Sequence, residues 1–108
     1  MISRQWKGIA RASDAQRYIN HLRKDTFPKL ARIEGFTSAS ILQRTVPAGV
    51  EFLIVTVWES IDAIKRFAGD DPEVAVVPPA VQAMMVKYDK VVRHYSVTED
   101  YVPLRQRC

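Results

Sequence analysis

Cysteine is almost missing from this chain of 108 residues: the single one, Cys108, is its last residue. No intrachain disulfide can form, which suits a reducing cytoplasm. Cys108 also stands too near the end for a prenylation signal, which needs Cys fourth from last. Glycine is scarce, at four, and no phosphate-cradling loop or dinucleotide fingerprint is present. The two histidines, His21 and His94, lie far apart with no paired spacing, so a protein metal site is not indicated. No apolar run approaches the roughly 20 residues that span a bilayer. Met1 to Ala10 carries Arg4, Gln5 and Lys7 and lacks the apolar centre of a signal peptide. A soluble, cytoplasmic protein without bound cofactor and without membrane contact is expected.

Concentrated positive charge is lacking too. The net charge is +4, from 16 basic and 12 acidic residues. Helix one would carry Arg17, Arg23, Lys24, Lys29 and Arg32, but Asp14 and Asp25 interrupt them. Nucleic-acid binding needs a basic stripe or cluster, so no nucleic-acid partner is expected.

What the chain does have is a strand apolar on both faces. In Val50 to Trp58, Phe52, Ile54 and Trp58 share one face with Thr56, while Leu53, Val55 and Val57 share the other. Such a strand needs cover on both sides. A chain this short makes one domain with a modest core and can cover only one side well. The other side predicts a homodimer, closed sheet against sheet through the helix-free faces.

The remaining pattern fits that strand into a plan. Ile2 to Ala10 reads as strand one. Ser13 reads as an N-cap with Gln16 as its capping-box partner, opening a helix through Ala15, Tyr18, Ile19, Leu22 and Thr26. Pro28 interrupts it or opens a short turn through Leu30 and Ile33, and Glu34-Gly35 ends it. Phe36 to Val46 is strand two, and Pro47-Ala48-Gly49 a turn. Ser60 caps a helix carrying Ile61, Ile64, Phe67 and Ala68, which Gly69 closes. Asp70 to Val77 connects to a helical turn or two opened by Pro78-Pro79 and carrying Val81, Met84 and Met85. Lys90 to Thr98 is strand four. The order β-α-β-β-α-β predicts an α+β, ferredoxin-like domain over residues 1–98. Its four-stranded antiparallel sheet has helices on one face. A polar tail, residues 99–108, can cross to a partner subunit.

Four segments carry a resemblance: Ile33-Glu34-Gly35-Phe36, Thr56-Val57-Trp58-Glu59-Ser60, the Ala63/Phe67 spacing, and Val92-Arg93-His94-Tyr95-Ser96-Val97. In these and in element order, the chain resembles the antibiotic biosynthesis monooxygenase-like (ABM) family of the dimeric α+β barrel superfamily. The resemblance implies a homodimer and a pocket between helices and sheet. It implies one of several chemistries, among them oxidation of aromatic phenols by oxygen without a cofactor, and haem breakdown. The haem-degrading branch has an Asn on strand one, and Met1 to Ala10 has none. Where that branch has a second Trp and an iron-ligating His, this chain has Phe67 and Val77.

Cofactor-free oxygenation needs a base, donors for a substrate anion, and a dry cavity. His94 has a reference pKa near neutrality and is the candidate base; the alternative is an imidazole bonded at the sheet surface. Tyr88 or Arg4 would hold the oxyanion, and Tyr18 and Tyr95 could also donate to it. Trp6, Phe67, Met84 and Trp58 would bind an aromatic or apolar ligand, although core packing accounts equally for Trp58 and Met84. Two functions follow: a cofactor-independent monooxygenase or isomerase acting on an aromatic or enolisable small molecule, or a non-catalytic dimeric module for ligand binding, stress or regulation.

Overall fold

A computed structural model describes residues 1–103. Residues 104–108 lie outside that range, and with them Cys108 and half of the tail expected to cross to a partner. Residues 99–103 have no regular secondary structure.

Strand β1 (Ile2–Ala10) is central. It pairs antiparallel with β3 (Gly49–Trp58), which pairs antiparallel with β2 (Phe36–Val46). On its other side β1 pairs with β4 (Met85–Tyr88) near its C-terminal end and β5 (Arg93–Ser96) near its start. The sheet order β2-β3-β1-β4, with β5 continuing along the β4 edge, is the ferredoxin-like order. The layer of helices lies on one face.

The expected fourth strand is thus two strands of four residues. Residues 90–92 leave β1 and turn to the connector instead. Val91 bridges Val74, the Val92 amide donates to the Glu73 carbonyl at 2.8 Å, and the Ala75 amide donates to Lys90 at 2.9 Å. Met85 consequently starts β4, and the preceding helix α4 is only Pro79–Gln82.

The first helical segment also departs from expectation. Ser13 caps nothing: a 3₁₀ turn, Ala12–Asp14, follows Arg11, and no side chain caps it. Asp14 instead accepts from Arg17 at 2.8 Å. Helix α1 (Ala15–His21) then widens into a π-helical turn, Leu22–Thr26, before α2 (Phe27–Leu30). Pro28 supplies the reason. Its ring would clash with the Lys24 carbonyl and it has no amide to donate. The wider turn opens that spacing, and the Phe27 amide reaches back to Leu22.

Helix α3 (Ile61–Ala68) forms as the sequence predicts. Ser60 is extended, and its hydroxyl accepts from the Ala63 amide at 3.1 Å. Gly69 ends the helix at φ 89. Gly35, at φ 95, lets β2 start against it: a Cβ there would lie 2.6 Å from that of Ala63. The Glu59 amide donates to the Gly35 carbonyl at 2.8 Å, so two segments of the family resemblance meet at one junction.

Two buried clusters fill the space between helices and sheet. Tyr18, Leu22, Phe52, Ile54, Val81, Met84 and Met85 form one, with Ala10. Leu30, Trp58, Ala63 and Ile64 form the other.

Candidate functional site

The strand alternation that builds the core also turns two polar side chains into it. On β3, Phe52, Ile54, Thr56 and Trp58 face the helices. Opposite them on β1 stand Gly8, Trp6, Arg4 and Ile2 in register. Arg4 therefore points into the core, and only 5% of it is exposed.

Between the clusters lies a cavity of about 80 Å³. The sheet lends it Arg4, Trp6, Ile54 and Thr56, and α1 to α2 lend Tyr18, Leu22, Phe27 and Leu30. Phe67 of α3 closes one end. Val76, Val77 and Pro78 lie across the top, and Val76 and Pro78, both exposed, mark the mouth.

The polar groups are few. One Arg4 nitrogen, Nη2, donates to the Val74 carbonyl at 3.0 Å, which ties the covering segment down. Arg4 Nε is buried without a hydrogen-bond partner. The guanidinium carbon sits 5.7 Å from the Phe67 ring centre, a cation–π contact. Burial lowers the Arg4 pKa to about 10, which still leaves it charged at neutral pH. Tyr18 is pushed upward by burial and stays protonated. Trp6 is fixed by its indole N–H, which donates to the Asp89 carbonyl at 2.8 Å. Gly8 makes room for that indole: a Cβ there would lie 2.5 Å from it.

Of the expected site residues, Arg4, Trp6 and Phe67 line this cavity. Trp58 does not: it is fully buried, packs edge-on against Phe36 at 5.2 Å and stacks on Phe67 at 6.2 Å. Its indole N–H donates to Thr56 Oγ1 at 2.9 Å. Met84 is likewise buried in the first cluster, away from the lining. Tyr88 packs beside Trp6 at 6.5 Å, outside the lining. His94 also stands outside it, in register with Arg4 on the neighbouring strand. Its Nε2 is buried and unpartnered. Burial and then the Arg4 charge lower its pKa, while Glu73 opposes them, so it is neutral at pH 7. Tyr95, considered as a donor, is exposed on the opposite face of the sheet.

Thr56 is one of the lining residues that sequence reasoning passed over, together with Thr26 and the aliphatic wall. It accepts from Trp58, and its hydroxyl donates to the Arg4 carbonyl at 3.4 Å. Its signal was a lone hydroxyl in an otherwise apolar strand face.

Haem does not fit this cavity. The lining contains no histidine or cysteine, Val77 stands in the covering segment, and 80 Å³ is far below what a tetrapyrrole fills. Among the described residues no three His, Cys, Asp or Glu side chains gather as a metal site. No helix there is long and apolar enough to cross a membrane.

No protein-family model matches the chain, and no curated protein matches it. Solved structures do. A monooxygenase from the ActVA-Orf6 gene of Streptomyces coelicolor, in complex with nanaomycin D, superposes with TM-score 0.67 at 15% identity, over 94% of this chain and 91% of the other. SnoaB, a cofactor-independent oxygenase from Streptomyces nogalater, gives 0.63 at 15%, over 92% and 94%. The haem-degrader MhuD from Mycobacterium tuberculosis, with two haems in its active site, gives 0.63 at 17%, over 94% and 100%. At such identities the likeness establishes the fold. The ABM resemblance drawn from the sequence stands at that level.

Proposed function

We propose that this chain is a cofactor-independent monooxygenase, or a related isomerase, acting on an aromatic or enolisable small molecule. The observation that carries the proposal is an apolar, aromatic-walled cavity holding one buried guanidinium, in a fold shared with an oxygenase that needs no cofactor. Such a reaction draws its electrons from the substrate. A phenol loses its proton, and the electron-rich ring reduces oxygen and captures it as a hydroperoxide. Loss of water then leaves a quinone: one phenol and one O₂ give one quinone and one water. The protein's work is to stabilise the anion and exclude water. Arg4 would hold the oxyanion, and Tyr18 in the lining would donate to it in place of Tyr88. His94, neutral and next to Arg4 in the register, would take the proton. Trp6 and Phe67 would flank the ring.

Two copies are proposed to pair through the helix-free face, where Leu53, Val55 and Val57 are only half covered and Leu42 is 48% exposed. The cytoplasm is the proposed compartment. A second reading, a dimeric ligand-binding module without catalysis, is favoured by one observation: His94 does not line the cavity. Oxygen consumption separates the two. The oxygenase consumes oxygen with a phenolic or enolisable compound at a rate that survives chelators and rises with pH through the ionisation of its base. A screen in which such compounds bind and none consumes oxygen or is isomerised leaves the binding module.

A further inference from the structure

The cavity poses a charge problem. Arg4 is 5% exposed, yet no carboxylate among the described residues lies within ion-pair distance of its guanidinium. Its partners are one carbonyl and one ring face, and its Nε has none. Buried charges in folded proteins are paired, because an unpaired one loses its hydration without recompense. A hydrophobic side chain of similar length would fill the same space more stably. Thr26, Thr56 and Tyr18, the hydroxyl side chains of the lining, carry no negative charge, and neither does the neutral His94 beside Arg4. Among the described residues no carboxylate pairs with it, and an anionic ligand can supply the compensating charge.

Size sharpens the inference. An apolar cavity that admits benzene measures roughly 150 Å³, and this one is about 80 Å³. A ring cannot lie wholly inside it. An anionic group can reach Arg4 while the ring it carries extends between Trp6 and Phe67 towards the mouth at Val76 and Pro78.

We infer that the cavity selects small monoanions, a carboxylate, enolate or phenolate borne on a single ring, with the anionic oxygen on the Arg4 guanidinium. This deepens the oxygenase reading by naming its substrate class and rests on the same cavity. Val74 holds Nη2 of Arg4 and Nε is enclosed, so the guanidinium N–H groups on Nη1 are left for the ligand.

The test is calorimetric titration of the full chain with benzoate and with its neutral isostere benzamide, at neutral pH. Benzoate is expected to bind about tenfold tighter or more, the scale of a charge-assisted hydrogen bond. In Arg4→Met the preference disappears while the melting temperature holds or rises, since an unpaired buried charge has been removed. Arg4→Lys keeps a preference for benzoate. Equal binding of the two probes, no binding of benzoate, or a preference that survives Arg4→Met overturns the inference. If Arg4→Met does not fold, the parent and Arg4→Lys decide it alone. The oxygenase reading fails separately. Benzoate held at Arg4, with no phenolate or enolate ever consuming oxygen, keeps this site and removes that activity. Oxygen consumption with equal binding of the two probes does the reverse.

Discussion

The two faces of the sheet at β1 and β3 break opposite rules. The covered face, under the helices, is where charge should be absent, and it holds Arg4 and Thr56. The open face is where aliphatic side chains should be absent, and it shows Leu53, Val55 and Val57, half covered. Around those three stand Ser3, Gln5 and Lys7 of β1 and Ser38, Ser40 and Leu42 of β2. An apolar stripe in a polar frame is the composition of a specific contact, whereas a charge in an apolar wall is the composition of a binding site. Each face is incomplete by itself, and each lacks a different thing: surface on one side, a counter-charge on the other.

The largest effect expected on that contrast is on the covered face. Trp58→Ala removes a fully buried ring stacked on Phe67 and leaves the Thr56 hydroxyl without its donor. The loss is about 3–5 kcal/mol, a large share of a small domain's stability, and chemical denaturation measures it. A variant as stable as the parent that no longer binds ligand would move Trp58 from the core to the site.

Next comes the open face. Val55→Lys, placed opposite Gln5 and Ser40, should split the proposed dimer, reducing the mass in light scattering from twice 12.3 kDa to 12.3 kDa. A specific assembly buries roughly 1,000 Å² or more, so one buried lysine per copy suffices. A parent that is monomeric at micromolar concentration would end the comparison as drawn.

The catalytic expectation is of the order of 10²-fold in rate for His94→Ala, if general-base catalysis operates. An equally active variant would take His94 out of the mechanism. The same histidine has a smaller signature in stability. Its folded pKa lies below the ordinary 6.5, lowered by burial and then by Arg4. The unfolded chain therefore binds this proton more readily, and stability is lost as pH falls through and below about 6.5. His94→Gln should flatten that part of the stability profile. The last expectation is a null: added haem forms no saturable one-to-one complex, because neither imidazole lines the cavity. A Soret shift abolished by mutating His21 or His94 would contradict it.

Much of this architecture was legible in the residues. The double-faced strand, the Ser60 cap and the glycines at positions 35 and 69 each depend on local geometry that a few neighbours determine. The split of the last strand was not legible, because Val91 and Val92 look like strand residues whichever partner they choose. They pair with the connector, a choice made by tertiary contact. The failed cap at Ser13 is similar: Asp14 accepts from Arg17, and the 3₁₀ turn begins at Ala12 with Arg11 in the cap position, two residues earlier. In the site, type was readable but direction was not. The chemistry of Arg4 could be named from its type, but only its register with Thr56 turns it inward. His94 shares that register but stops short of the lining.

The wide turn ahead of Pro28 can also be counted as an edit to the chain. Tyr18 and Leu22 are four apart and Phe27 is five further on, yet all three reach the cavity. Between Leu22 and Phe27 the helix carries one residue more than an α-helical turn can hold, and the surplus is spent there instead of rotating everything downstream. Deleting Lys24 alone would restore the regular count but leave Pro28 facing a carbonyl it cannot accommodate. The surplus residue and the proline thus accommodate each other within one turn.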